Sequence, residues 1–255
     1  MITYLVISLD TEIGRQRREV NINYPFTLIE GCFGSDDKCP FVCEVKSKMV
    51  VRYNTGIKKR NGIVGCMASH LKAYQHIIDN DLTDVVVCED DAIKIREIDL
   101  NTLPTEVCLF SGQIHAPAPW ANDVGWRLSQ DRKDIIASWS QGVNEIDYKR
   151  FRWTQTNAIY IPNKAKAQEL LDSIRKEKSY KGYDIFLTNR KLIKYLYYPA
   201  PLKHHDKLGT TQIGGSGNPG IIVDYVRVGP PLDCMDCGQC WDCSSNLECP
   251  AKKWQ

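Results

Sequence analysis

No stretch of this 255-residue chain approaches the roughly 20 consecutive apolar residues that a helix needs to cross a bilayer. Strong charge of either sign is also missing. The 33 Lys and Arg against 31 Asp and Glu leave a formal net charge of +2, so no broad basic field favours nucleic acid. A secretory leader is not expected either. The opening MITYLVISLDTE is apolar but short, without a basic start or a small-residue cleavage site, and reads as a first strand. The expectation is a soluble, cytoplasmic chain with no transmembrane segment and no nucleic-acid partner. Hydrophobic residues at 43% and charged residues at 25% fit one sizeable α/β domain or two small ones. Cysteine is not scarce, but its count of 11 is odd, which argues against a fully paired disulfide set. Cys66, Cys88 and Cys108 fall in helix or strand patterns and read as small core residues, while Cys32, Cys39 and Cys43 lie in or near a loop.

The most informative stretch is residues 62–95, GIVGCMASHLKAYQHIIDNDLTDVVVCEDDAIKI. Met67, Leu71, Tyr74 and Ile78 recur at spacings of four, three and four, one face of a helix. Asn80, Asp81, Thr83 and Asp84 then supply turn chemistry. Val85, Val86, Val87 and Cys88 form an unbroken apolar run, the mark of a strand buried on both faces. At its carboxyl end stand Glu89, Asp90 and Asp91, where open α/β sheets bind ligands. Side chains at i and i+2 of a strand point the same way, so Glu89 and Asp91 are expected to converge while Asp90 faces away. Two adjacent carboxylates repel unless a cation or a proton joins them. Mg²⁺ or Mn²⁺, with phosphate oxygens completing the shell, is the natural cation. A solvated acidic turn is the plain alternative.

Around this stretch the chain reads as alternating strands and helices. Residues 3–9 are a first buried strand, and Arg15, Arg17 and Arg18 decorate a short helix, with Arg17 and Arg18 read as solvated. Residues 25–29 are a second strand, residues 41–53 a candidate helix, and Lys58, Lys59 and Arg60 a basic knot before the long helix. Residues 107–111 are a further strand, followed by a long irregular segment over 112–152 that holds Pro117, Pro119, Trp120, Trp126 and Trp139. Residues 157–161 are a strand, with Pro162 and Asn163 opening a helix to about residue 178. Tyr183 and Asp184 begin another helix, and residues 195–198 make a strand. His204 and His205 lead into a glycine-rich loop over 209–220, which lacks the Lys-Ser/Thr ending of a P-loop. A strand over 221–228 closes the domain, and Pro230-Pro231 marks a boundary before a tail over 229–255. In that tail Cys234, Cys237, Cys240 and Cys243 stand three apart, ahead of Cys249. Such steps can supply a tetrathiolate site for Zn²⁺ or an iron–sulfur cluster; a disordered reduced tail is the alternative.

The two motifs GIVGCMASHLKAY and VVVCEDDAI, in that order, resemble glycosyltransferase family 25, which includes lipopolysaccharide-type galactosyltransferases and collagen-modifying relatives. Gly62, Gly65, Cys66, Ser69, His70, Leu71, Glu89, Asp90 and Asp91 carry the match. The resemblance implies an inverting, metal-dependent, nucleotide-sugar transferase of GT-A type over residues 1–228, with a mainly parallel sheet. It implies a UDP-sugar donor, commonly UDP-galactose, and a glycan or glycoconjugate acceptor, in settings such as lipopolysaccharide biosynthesis. Ser8, Leu9, Asp10 and Arg15 match the family's nucleotide-holding opening, Ser8 standing where the family usually has Asn. Ser69 and His70 are implied as scaffold or donor-pocket support, and Glu89 and Asp91, with His204 or His205, as metal ligands. Asp184 matches an Asp at a similar helix start and is the candidate general base, with Asp123, Glu145 and Asp147 as rivals. Tryptophans of the 112–152 segment suit sugar packing, and could equally be lid anchors or satellite core. Two other classes stay open: a metal-dependent phosphodiesterase, and a non-catalytic member or adaptor that works through the cysteine tail.

Overall fold

The computed structural model describes residues 1–48, 57–115, 130–177 and 182–204. In chain order the elements are β1 (Thr3–Ser8), α1 (Glu12–Asn21), β2 (Thr27–Glu30), α2 (Pro40–Lys48), α3 (Ile57–Asp79), β3 (Val85–Glu89) and β4 (Ala92–Lys94). There follow β5 (Cys108–His115), α4 (Gln130–Ala137), β6 (Gly142–Glu145), β7 (Arg152–Ile161), α5 (Lys164–Lys176), α6 (Tyr183–Asn189), β8 (Tyr195–Tyr198) and β9 (Leu202–His204).

Seven strands form one sheet in the order β2-β1-β3-β7-β5-β8-β6, and β4 pairs with β9 in a separate ribbon. The block β2-β1-β3 is parallel, as is β5 with β8. β7 runs antiparallel between β3 and β5, and β6 is an antiparallel edge. The sheet is therefore mixed, its parallel pairings being the N-terminal block and β5 with β8. Because β7 reverses twice over, β1, β2, β3, β5 and β8 all end at the same edge.

Alternation along the strands divides the core. Leu5, Val85 and Val87 join Met67, Leu71 and Tyr74 of α3 and Leu170 and Leu171 of α5 on one face. Tyr4, Val6, Val86 and Cys88 join Tyr24, Phe110 and Tyr160 on the other. The unbroken Val-Val-Val-Cys run is buried on both faces as read, and each such side chain contributes about 1.5–3 kcal/mol. The second face is covered by Ala92 and Leu202 of the β4–β9 ribbon rather than by helices alone. The buried stripe of α3 runs through Met67, Leu71, Tyr74 and Ile77, so Ile78 sits at its margin.

The helix stops where the turn residues stand. Asp81 and Asp84 adopt φ of 49° and 51°, a left-handed conformation that Asp tolerates better than most residues. Asp84 also accepts a 2.7 Å hydrogen bond from the Tyr160 hydroxyl, which ties the turn to β7. Asn163 caps α5 as expected, its side chain accepting from the Lys166 N–H.

The 112–152 segment is more regular than its sequence suggests. β5 extends to His115, and α4 and β6 lie within the part of the segment described after residue 129. β6 is short and paired on one side only, so it carries little hydrophobic signal. Lys58, Lys59 and Arg60 belong to the first turns of α3 instead of a preceding loop. Trp139 packs edgewise on Phe151 and against Tyr198, a satellite of the core. Pro117, Pro119, Trp120, Asp123, Trp126, His205, the 209–220 loop, the 221–228 strand, the cysteine tail and the boundary at 228 lie outside the described residues.

Candidate active site

The shared edge collects the end of β1, the end of β2 and the acidic turn that follows β3. Asp90, the middle acid, is buried and held from one side by α1 and β1. Ser8 Oγ donates to Asp90 Oδ2 at 2.7 Å, and Arg18 Nη1 donates to Ser8 Oγ at 2.6 Å. Arg17 Nη1 lies 3.5 Å from Asp90 Oδ1, and Asn21 Nδ2 donates to the Asp90 carbonyl. Burial lifts the Asp90 carboxyl to about 6, against the lowering effects of Ser8 and Arg17. Arg17 is thus a core residue, and Arg18 is tied to Ser8, so the reading of both as solvated is corrected. A partner 73 positions away cannot be seen in the spacing of a ten-residue helix.

Asp10 and Arg15 stand exposed just beyond β1, joined at 2.9 Å, with Glu12 also on Arg15. The Leu9 carbonyl accepts from Thr11 N–H, and Gly14 packs so tightly on it that an added Cβ would lie 2.1 Å away. Ser69 is committed to the scaffold. Its hydroxyl accepts from Cys32 N–H at 2.8 Å and donates to the Gly65 carbonyl at 2.7 Å.

On the α3 side the edge has a different chemistry. Cys66 and His70 lie one turn apart on α3 and so share a face. His70 Nε2 is 3.5 Å from Glu89 Oε1, and Cys66 Sγ is 4.0 Å from the same oxygen. The His70 ring stacks on Tyr183, centroids 3.6 Å apart and planes within 9°. The Tyr183 hydroxyl in turn meets that of Tyr74. Burial pushes His70 down to about 3, with Asp184 acting in the opposite sense, so the ring is neutral and its approach to Glu89 is not an ion pair. Burial pushes the Cys66 thiol up, and the charges of Glu89, Asp184 and Asp91 add to that.

Of the residues singled out from sequence, His70 and Glu89 meet at Cys66, and Asp184 acts electrostatically on both Cys66 and His70. Asp184 is the second residue of α6; the helix cap is Gly182, which makes no side-chain capping bond. Asp91 is buried in the turn next to Glu89 and acts electrostatically on Cys66 and Cys88. The main chain of His204 pairs with Ala92, so the topology sets it beside the residue that follows Asp91. Glu145 and Asp147 lie in or just after β6, four strands from β3 in the sheet. At the usual strand spacing that is about 19 Å from the acidic turn, measured across the sheet.

Cys66 and Tyr183 were not expected here. Cys66 reads as a small core residue, although the four-residue step to His70 was the available signal. Tyr183 has no local signal, because its partners come from α3.

No helix among the described residues is long and apolar enough to cross a membrane. No curated protein matches the chain. Residues 1–100, which run from β1 through the acidic turn and β4, match the model of glycosyltransferase family 25 (LPS biosynthesis protein), a span that takes in both the opening with Ser8, Leu9, Asp10 and Arg15 and the motifs within 62–91.

Proposed function

We propose that this protein is an inverting glycosyltransferase that moves a sugar from a nucleotide-diphosphate donor to a hydroxyl of a glycan or glycoconjugate. The observation that carries the reading is the family match, which spans both parts that meet at the sheet edge: the opening with Asp10 and Arg15, and the acids after β3.

Glu89 and Asp91 offer carboxylate oxygens at that edge, the donor type that Mn²⁺ or Mg²⁺ takes, and they are the residues that would hold such an ion, with His204 as a third. Bound there, the ion would neutralise charge on the departing diphosphate. The chain's own residues do the rest. Asp10 and Arg15, exposed just beyond β1, would meet the nucleotide. Ser8 and Arg17 act through Asp90 and fix the acidic turn. Asp184 takes the proton from the acceptor hydroxyl. Tyr183, stacked on His70, holds α6 and therefore Asp184 in place.

The test is release of nucleoside diphosphate from a panel of nucleotide sugars with Mn²⁺, UDP-galactose first. Turnover with one donor, lost in Glu89→Ala and Asp91→Ala and weakened less in Asp90→Ala, is the expected result. Equal donor affinity in the parent and both variants would sink the assignment. A phosphodiesterase is less well supported: among the described residues the three-member group of ligand-type side chains is Cys66, His70 and Glu89, which supplies no second carboxylate set.

A further inference from the structure

We propose that Cys66, His70 and Glu89 form a three-ligand site for a borderline-soft divalent cation, of which Zn²⁺ is the best fit. This site is chemically distinct from any hard ion on a donor diphosphate.

The ligand atoms of the three residues lie within 4.8 Å of one another. In a tetrahedral zinc site, the usual Zn–N, Zn–O and Zn–S lengths put N and O about 3.4 Å apart and S and O about 3.6 Å apart. The separations here are 3.5 Å for His70 Nε2 to Glu89 Oε1 and 4.0 Å for Cys66 Sγ to the same oxygen. Small side-chain adjustments close the remainder.

His70 is the second, independent observation. Its ring is 3% exposed, and neither ring nitrogen makes a hydrogen bond among the described residues. A buried polar group without a partner destabilises the fold, and a bound cation would offset that. The stack on Tyr183 fixes the ring plane with Nε2 toward Glu89. One sulfur, one imidazole and one carboxylate select Zn²⁺ over Mg²⁺ or Ca²⁺, which prefer oxygen alone. Three protein ligands leave a fourth position for water or a substrate atom, and Glu89, 33% exposed, gives solvent access.

The site shares Glu89 with the proposed transferase metal but not Asp91, so the two readings fail separately. The experiment uses the full chain, stripped of metal under reducing conditions and titrated with Zn²⁺ and with Co²⁺ as a visible probe. The tail thiols can contribute their own equivalents, so stoichiometry is compared among variants. Cys66→Ser and Glu89→Gln are each expected to lose one equivalent of Zn²⁺, and Cys66→Ser one increment of Co²⁺–thiolate absorption. Asp91→Asn is expected to keep both while losing Mn²⁺-dependent donor binding. Should Cys66→Ser fold poorly, Glu89→Gln, at a partly exposed position, decides the question when read against Asp91→Asn: loss of a Zn²⁺ equivalent in the first and its retention in the second support the site. Unchanged Zn²⁺ stoichiometry in the variants overturns the site.

Discussion

His70 and Asp90 are both buried and ionisable, and pH acts on them in opposite directions. The His70 ring titrates near 6.5 in an unfolded chain and at about 3 in the fold. As pH falls the unfolded state takes the proton first, so the stability tied to a neutral His70 is full above about 6.5 and is lost toward pH 3. Asp90 has its folded value raised to about 6 from 3.8, so the folded state takes the proton first. Its contribution is full below about 4 and is lost as pH rises through 6. In metal-free protein the stability difference between parent and His70→Gln should therefore shrink by roughly 3 kcal/mol from pH 7 to pH 4, at about 1.4 kcal/mol per pH unit. The difference between parent and Asp90→Asn should instead shrink as pH rises from 4 to 7, on the order of 2–3 kcal/mol. Urea midpoints at each pH measure both. Curves for parent and variant that stay parallel would remove the corresponding group from the balance.

At the scale of elements, α3 organises the site because it touches the chain on three sides. Its Gly65 lies under the loop after β2, where an added Cβ would sit 2.5 Å from the Cys32 carbonyl oxygen. Gly65→Ala forces that loop or the helix to move and should cost about 1–3 kcal/mol, read as a lower urea midpoint at an unchanged slope. α6 docks on the same helix through Tyr183 and presents Asp184. Since the helix cap is Gly182, Asp184→Asn should cost the fold only about 0.3–1 kcal/mol of first-turn charge. Transfer to acceptor should fall by a factor on the order of 10²–10⁴ with donor affinity nearly unchanged. Turnover within a few-fold of the parent would remove Asp184 as the base. These elements differed in how far their sequence revealed them. α3 and β3 were legible because burial on a single helical stripe, or on both strand faces, prints a regular apolar pattern. Arg17, Cys66 and Tyr183 were not, since each takes its meaning from a residue on another element: Asp90, Glu89 and His70. β6 was missed because an edge strand of four residues, Gly-Val-Asn-Glu, prints almost no pattern.

At the scale of the molecule, the candidate site joins two halves of unequal legibility. Residues 1–100 carry the family match, the parallel block and the acids. The later half supplies β7, β5, β8 and β6 to finish the sheet, α6 to complete the site, and β9 to cover the second face beside Ala92. Stability comes mainly from apolar burial, so a segment with few apolar residues to bury should be dispensable for folding. The cysteine-rich stretch 229–255 has few apolar residues to contribute. A chain ending at Val228 is therefore expected to stay soluble, to unfold within a few degrees of the parent, and to retain donor hydrolysis. Thermal unfolding and hydrolysis assays on the two chains check this together. Insolubility of the shortened chain would show that the tail packs on the domain. A soluble but inactive chain would instead place part of the working site in the tail, and would move the functional weight toward its four evenly spaced cysteines.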